Sequence, residues 1–443
     1  MKNFFNAQCI DLSHEGLGVV KNNEKPYFVF DFLPGEKGKV EVIRENKNYG
    51  YGKLILRNNS SQYRINPLCA SFGKCGGCDL CHMNYDYETE FKLKMVNETY
   101  KRIGHLDYTF KKIIKADDTF HYRNKVQIPF AFKNGKNICG FYKKQSHDII
   151  EIRSCLLQTE ITTDIAIFVK NITNEYKIKA YDEITHKGML RHLLIRKNTY
   201  NDYMVVLICN EYKKDDVLLI ANKIKDKFPQ VKSIILNINT EKNNIILGEK
   251  YEVIYGYDYL VEDILGLKFK MSHKAFFQIN HDQTEKLYEN ALTLAKVTKN
   301  DTVLDLYCGV GTITLLASKK AKKAIGIEIV KEAIDDAKEN AKLNNIENVE
   351  FIVGKAEEEV HQIKDKIDVL FVDPPRKGLD KDLIESIKNF NINKLVYISC
   401  DVSTMARDVS LLVSDYKIID GFCVDLFPRT SNVETVVFLE KIK

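Results

Sequence analysis

From about residue 270 to its end, the sequence alternates strand-like and helix-like segments almost without interruption. TVLDLYC reads as a strand and TITLLASKKA as a helix, then AIGIEI as a strand and KEAIDDAKENAKLNN as a helix. VEFIVG, DVLFVDPP and KLVYISC are further strands with helices between them, and YKIIDGFCVDLF with VETVVFLEK reads as a closing hairpin. Such alternation leaves little choice of architecture. It predicts an α/β, doubly wound, mostly parallel sheet.

The first 270 residues follow other patterns. Residues 1–57 hold short alternating strands such as PYFVFDF and GKVEVIRE, broken by Gly-containing turns, which predicts a small β-barrel. NNSSQYRINP is a linker by composition, and ETEFKLKMVNETYKRIGH, residues 88–105, has helical composition. From about 108 to 265, strands (KVQIPFAF, LLIRKN, YMVVLICN, SIILNIN) mix with a helix near 213–227, the signature of an α+β domain. The chain of 443 residues is therefore multidomain.

No apolar run approaches the roughly 18 residues needed to span a membrane. The N-terminus lacks a charged segment followed by an apolar one, so a cytoplasmic protein is expected. The net charge of +5 is small, but residues 101–145 hold eleven Lys and Arg against three Asp. Tyr108, Phe110, Phe120, Tyr122, Phe130, Phe132, Phe141 and Tyr142 are interleaved with them. A surface for phosphate attraction and base stacking and a solvated sheet with its aromatics turned into a core both fit this pattern. Of eleven cysteines, Cys69, Cys75, Cys78 and Cys81 fall within thirteen residues. In a cytosolic protein that clustering favours metal or redox chemistry over disulfides.

Five places in the C-terminal part are candidates for chemistry. Asp305-Leu-Tyr-Cys-Gly309-Val-Gly311 lies where the first strand turns into its helix, and its glycines allow a tight turn and close approach of a ligand. Glu328 ends the next strand, where a carboxylate can accept two hydrogen bonds from ribose hydroxyls. The third glycine of a dinucleotide fingerprint is missing, which favours S-adenosylmethionine over NAD. Asp373, before Pro374 and Pro375, ends another strand at the same sheet edge, as a ligand contact or a turn cap. Cys400 ends KLVYISC before a helix that Asp401 or Ser403 can cap. A helix N-terminus lowers a thiol's pKa, with Asp401 opposing and Arg407 favouring the effect, although a small buried hydrophobe is the commoner fate of a cysteine. Glu434, in an otherwise apolar strand, is either paired structurally or a base.

With CASFGKCGGC, YRNKVQI, GFYKKQSHDII, FFQIN, DLYCGVGT, DPPRKG, YISCD and the final VETVVFL, the chain resembles the RNA (uracil-5-)-methyltransferases that act on bacterial 23S rRNA and tRNA, nearly end to end. The resemblance implies a TRAM-like RNA-binding barrel at 1–57, a cluster-bearing RNA-binding domain at 68–265 and a Rossmann-like methyltransferase domain at 266–443. The helix near 85–105 would pack on the last of these. In the family four cysteines hold a [4Fe–4S] cluster, and they map to Cys69, Cys75, Cys78 and Cys155, with zinc the alternative metal for four thiolates. Cys81 and Cys139 are extra.

Carried over as S-adenosylmethionine contacts are Gln278, Tyr307, Gly309, Glu328 and Asp373; Cys400 carries over as the nucleophile and Glu434 as the general base. Many relatives have Asn after the nucleophile, where this chain has Asp401. The implied function is methylation of uridine C5 in an unpaired RNA loop by a monomer, with 23S rRNA the expected target and tRNA the alternative. Two rivals differ in a readable feature. A DNA cytosine-C5 methyltransferase usually places its nucleophile after Pro, whereas Ile398-Ser399 precedes Cys400. A non-catalytic RNA-binding iron–sulfur protein has no need of Cys400, Glu434, Asp373 and Gln278 together.

Overall fold

The computed structural model describes residues 3–144, 146–390 and 392–442. Contacts divide the chain into two compact units. The first is Met1–Met95 with Phe141–Ile150 and Phe427–Asn432; the second is Val96–Gly140, Glu151–Leu426 and Val433–Lys443.

In the first unit, β1 (Phe4–Gln8), β2 (Asp11–Leu12), β3 (Gly18–Asn22), β4 (Lys25–Val29), β5 (Lys37–Glu45) and β6 (Gly50–Arg57) form one sheet in the order β1-β5-β6-β4-β3-β2. The predicted strands are present around a small core of Cys9, Val20, Tyr27, Val29, Phe32 and Val40. Among the described residues the ladder is not closed between β1 and β2, so the sheet is curled rather than a fully hydrogen-bonded barrel. A second small core of Leu33, Leu80, Met83 and Phe91 lies under the cysteine segment. The helix expected at 88–105 is α1 (Tyr85–Arg102). It starts earlier because Asn84 accepts a hydrogen bond from the Tyr87 N–H at 2.9 Å, an Asn cap.

The second unit carries two large sheets. β7 (Ile113–Ile114) is short; β8 (Lys125–Lys133), β9 (Lys136–Tyr142) and β10 (Ile149–Glu151) follow, then α2 (Glu160–Glu175), β11 (Leu190–Lys197), β12 (Tyr203–Cys209), α3 (Lys214–Lys227), β13 (Val231–Ile238) and β14 (Lys250–Gly256). These give a seven-stranded sheet in the order β10-β9-β8-β11-β12-β13-β14. The hairpin β15 (Tyr259–Ile264) and β16 (Leu267–Ser272) leads to α4 (His281–Ala295).

The alternating region then follows as expected. It comprises β17 (Thr302–Leu306), α5 (Thr312–Ser318), β18 (Lys323–Glu328), α6 (Lys331–Leu343), β19 (Val349–Val353), α7 (Ala356–Glu359), β20 (Val369–Val372), α8 (Lys381–Asn389), β21 (Lys394–Ser399), α9 (Val402–Leu412), β22 (Tyr416–Val424) and β23 (Glu434–Lys441). The sheet order is β19-β18-β17-β20-β21-β23-β22-β7, parallel from β19 to β21. β23 runs antiparallel between β21 and β22, so the closing hairpin forms within the sheet rather than at its edge.

One apolar core joins these parts. Leu194, Met204, Val206 and Ile235 of the seven-stranded sheet share it with Phe269 and Met271 of the hairpin, Leu287 of α4 and Val303 and Phe371 of the α/β sheet. Burying a side chain such as Leu287 contributes about 1.5–3 kcal/mol, which fixes α4 and the segment before it against the sheet edge where the site lies.

Candidate active site

The strand ends of the α/β sheet open into a cleft lined by Asn124, Phe276, Gln278, Tyr288, Asp305, Tyr307, Gly309 and Asp373, among others. Thus four of the five expected cofactor contacts, Gln278, Tyr307, Gly309 and Asp373, share one cavity. The turn after β17 is sharp: Tyr307, Gly309 and Gly311 all have positive φ, at 66°, 54° and 82°. A left-handed Tyr is uncommon and strained, and it turns the backbone so that Tyr307 lines the cleft. At Gly309 an added Cβ would meet nothing within 4 Å, so open space lies beside its backbone. At Gly311 it would strike the Phe351 ring at 2.9 Å, so this glycine serves helix packing.

Glu328 stands differently from the expectation. It is not among the residues lining the cleft. Its two oxygens accept the N–H groups of Gly309 at 3.2 Å and Val330 at 3.0 Å. It braces the glycine turn; a carboxylate oxygen has a second lone pair, so a further hydrogen bond to a ribose is still open to it.

The strap from Ala275 to Asn280 carries Phe276 and Gln278 past the cleft. Asn124, just before β8, holds it through two bonds: its side-chain amide donates to the Gln278 carbonyl at 2.9 Å and its N–H to the Ile279 carbonyl at 2.9 Å. Arg196 at the end of β11 donates to the Ala275 carbonyl. Asn280 caps α4 and donates to the Leu426 carbonyl at 3.1 Å. The Gln278 side chain hydrogen-bonds the buried Tyr288 phenol. Phe276 is 69% exposed although it lines the cleft, a large apolar ring on its lip.

Cys400 and Glu434 come together through the sheet. β21 and β23 end their pairing at Ser399 and Thr435, and the next residue on each side is Cys400 and Glu434, near enough that the charge of Glu434 acts on the thiol. Glu434 is buried, and its Oε2 has no hydrogen-bond partner. Burial and then the charge of Asp373 hold its carboxyl well above the usual range, against the opposing charge of Arg376. Asp373, deep at the end of β20, is pushed up to about 7 by loss of hydration. Asp305 is also pushed up to about 7, by burial first; its Oδ2 accepts the Thr314 hydroxyl at 2.6 Å while Oδ1 has no partner.

The thiol expectation is overturned. Cys400 does precede α9, and Asp401 caps that helix by accepting the N–H groups of Ser403 and Thr404 at 2.9 and 3.1 Å. Yet the thiol is pushed up to about 11, by burial first and then by Glu434 and Asp373. A helix terminus is a fractional charge, and desolvation beside two carboxylates outweighs it. The cation that helps the thiolate is Arg376 of DPPRKG, which also hydrogen-bonds the thiol. Arg407 instead pairs with Asp408 at 2.7 Å and donates to the Lys377 carbonyl.

The other expected sites are less assembled. Cys69, Cys75 and Cys78 are half-buried in the first unit, and Cys155 belongs to the second. Among the described residues no three His, Cys, Asp or Glu side chains converge to hold a metal ion. Cys81 and Cys139 are buried, and Cys139 behaves as a core thiol pushed up to about 12. In the basic aromatic segment Phe110 and Phe130 belong to the core, while the other six rings are half-buried. No helix among the described residues is long and apolar enough to cross a membrane.

Sequence reasoning passed over Phe276, Tyr288, Arg376 and the role of Asn124. Phe276 and Arg376 sit in strings already singled out, but their function depends on a strap and a strand end that only the fold brings to the cleft.

Comparison with known proteins identifies the family. The sequence model of the family described as tRNA (Uracil-5-)-methyltransferase matches residues 87–442. An RNA methyltransferase of Oceanobacillus iheyensis is 43% identical over 436 residues, covering 97% of this chain and 95% of that protein. One from Clostridium acetobutylicum is 42% identical over 445 residues, covering 98% and 96%. Both are described as uncharacterized. Among solved structures, the Pyrococcus abyssi tRNA (uracil-54, C5)-methyltransferase in complex with S-adenosyl-L-homocysteine superposes with a TM-score of 0.79 at 27% identity, covering 98% of this chain and 99% of that one. The chain belongs to the tRNA (uracil-5-)-methyltransferase family.

Proposed function

We propose that this protein transfers a methyl group from S-adenosylmethionine to C5 of a uridine in structured RNA, through a covalent bond between Cys400 and C6 of the base. The observation that carries this reading is that Cys400 and Glu434, the residues just past the end of the β21–β23 ladder, lie close enough to each other and to Asp373 of the strand-end cleft for their charges to interact. The cleft suits the methyl donor. Open space beside Gly309 admits a ligand, and orphaned carboxylate oxygens on Asp305 and Glu434 match a positive sulfonium. The solved Pyrococcus abyssi relative, in complex with S-adenosyl-L-homocysteine, supports it.

Cys400 Sγ bonds to C6, the thiol proton passes to Asp373, poised at about 7, and electron density builds on C5. S-adenosylmethionine supplies the methyl group to C5 and leaves as S-adenosylhomocysteine. Glu434 takes the C5 proton, the C6–S bond breaks, and its electrons return to Cys400. Phe276, exposed on the lip, offers a face for the flipped base. Gln278, tied to Tyr288 and held by Asn124, orients the ligands in the cleft.

For the target we infer 23S rRNA rather than tRNA, from the resemblance of the N-terminal sheet and cysteine segment to the rRNA-acting enzymes. Mapping 5-methyluridine in both RNAs from cells lacking the protein tests this; loss confined to tRNA refutes it. A Cys400→Ala variant with full turnover sinks the covalent mechanism, and RNA carrying 5-fluorouridine should trap an adduct, because fluorine cannot leave as the proton does. Cys69, Cys75, Cys78 and Cys155 enter no step. Iron and sulfide analysis of anoxically purified protein decides whether they gather around a cluster.

A further inference from the structure

We propose that Lys125, with the buried Arg196 and His273 behind it, forms a binding subsite for an RNA phosphate next to the target nucleotide; this rests on the RNA-methylating reading above. β8 and β11 pair Lys125 directly with Arg196, so two cations face each other on one side of an antiparallel ladder. Like charges in that relation repel. Arg196 has no exposed surface, and its Nε and Nη1 have no hydrogen-bond partner; its one bond goes to the Ala275 carbonyl. A buried charge left without a counter-ion is costly.

His273 adds to the anomaly. Burial alternates strictly from Leu267 to Phe277, and His273 fills an inward slot between Met271 and Ala275. It is 2% exposed, and both ring nitrogens lack a partner. The cluster thus closes the apolar seam with two cations and a neutral imidazole, and with no anion. Among the described residues no carboxylate pairs with Lys125 or Arg196, and neither has an acid among the charges that perturb it. Burial and Arg196 push the Lys125 ammonium down to about 8, and burial pushes Arg196 down to about 10. The acid that reaches His273 is Asp258, outweighed by burial and by Lys274 and Arg196.

The location supplies the ligand. Asn124, which adjoins Lys125, and Phe276, which follows the carbonyl held by Arg196, both line the cleft where the base would enter. Lys125 keeps exposed surface, so an incoming phosphate meets its ammonium, while the guanidinium of Arg196 adds its charge from beneath without touching the ligand. A phosphodiester carries the missing negative charge and the acceptor oxygens, and it arrives with every nucleotide.

The test is binding of 23S rRNA transcribed in vitro, across a salt series, to wild type and to Lys125→Met, Lys125→Arg and Arg196→Lys. Lys125→Met should bind severalfold more weakly, with a salt slope shallower by about 1, and Lys125→Arg should restore the slope. Without RNA, Lys125→Met should melt no lower than wild type, because a repulsion has been removed; a merely structural lysine would lower it. An unchanged slope, or a lower melting temperature with an unchanged slope, overturns the subsite. So does weakened S-adenosylmethionine affinity at an unchanged slope, which would assign the cluster to the cofactor's carboxylate. A wild type that binds and methylates no RNA removes the parent reading and the subsite with it, whereas a methylating wild type with no change in Lys125→Met rejects the subsite alone. Arg196→Lys separates the strap contact, since it keeps the charge while altering the bond to Ala275.

Discussion

Replacing Glu434 by Gln should move the two halves of the reaction in opposite directions. Cys400 and Glu434 each lie one residue beyond the Ser399–Thr435 pair that ends the β21–β23 ladder, and the charge of Glu434 acts on the thiol. At a separation of about 5 Å and an effective dielectric constant of about 20, a full charge on Glu434 opposes the thiolate by about 3 kcal/mol. Removing it should raise the thiolate population by on the order of a hundredfold where Glu434 is ionised. Glu434 itself is held well above the ordinary carboxylate range, so it is largely protonated at lower pH and the gain disappears there. Iodoacetamide alkylation of Cys400 measures this directly. The profiles of wild type and Glu434→Gln should coincide at low pH and separate as pH rises, the variant reacting faster. With RNA and S-adenosylmethionine, the variant should form the adduct but release it about 10²–10⁴-fold more slowly, the usual worth of a general base. A stable RNA–protein band on a denaturing gel reports that species. Superimposed alkylation profiles at all pH values, or full turnover by the variant, would refute the proximity of the two groups and the base assignment respectively.

Other consequences are separable. Gly311→Ala, at φ 82° with a Cβ 2.9 Å from the Phe351 ring, should lower stability by about 1–3 kcal/mol by thermal or urea unfolding. Gly309→Ala, which meets no atom within 4 Å, should cost the fold less and S-adenosylmethionine affinity more; calorimetric titration distinguishes the two. Asp305 is about 7 in the folded chain against an ordinary value of 3.8. A raised carboxyl favours the fold below its unfolded value and loses that contribution as pH rises through its folded one. The ligand-free protein should therefore lose up to about 4 kcal/mol from this group between about pH 4 and pH 7, and Asp305→Asn should flatten that slope in a melting series. In the first unit, Glu88 bonds the fully buried Lys92 at 2.9 Å and the Arg429 N–H at 2.7 Å. Glu88→Gln should lower its stability by about 3–5 kcal/mol, and an unfolding midpoint unchanged by the substitution would show that the pair is not truly buried.

What the sequence discloses here is whatever depends on neighbours along the chain. The helix at Lys331–Leu343 is readable because Ile334, Ala337 and Ala341 recur at helical spacing, and all three are buried. The Asp401 cap is readable because its acceptor lies two and three residues from its donors. The direction of the Cys400 shift is not readable, because it is set by Glu434 and Asp373, distant in sequence and adjacent only once β20, β21 and β23 align. The same holds for Arg376, which local reasoning passes over in favour of Arg407. The aromatics of 101–145 show the limit of composition: Phe110 packs edge-on to Tyr100 at 4.7 Å in the core, which no charge pattern discloses.

The antiparallel insertion of β23 explains why the base sits where it does. In a parallel sheet every strand delivers its last residue to the ligand edge, as β17, β20 and β21 deliver Asp305, Asp373 and Cys400 near the cleft. A parallel β23 would bring Lys441 to that edge and carry Glu434 to the far side. Running the other way, it delivers its first residue, and residue 434 arrives at the end of the ladder where residue 400 does. The side chains of one strand alternate between faces, so a slip of one residue would turn Glu434 to the other face and offer Thr435 instead. That register is held by the buried run Val436, Val437, Phe438 and Leu439 against Ile398, Tyr397, Val396 and Leu395. The apolar strand that looks merely structural in sequence is thus the device that aims the carboxylate. Substitutions that loosen it, such as Val437→Ala, should reduce turnover beyond their effect on folding, with adduct release impaired more than adduct formation.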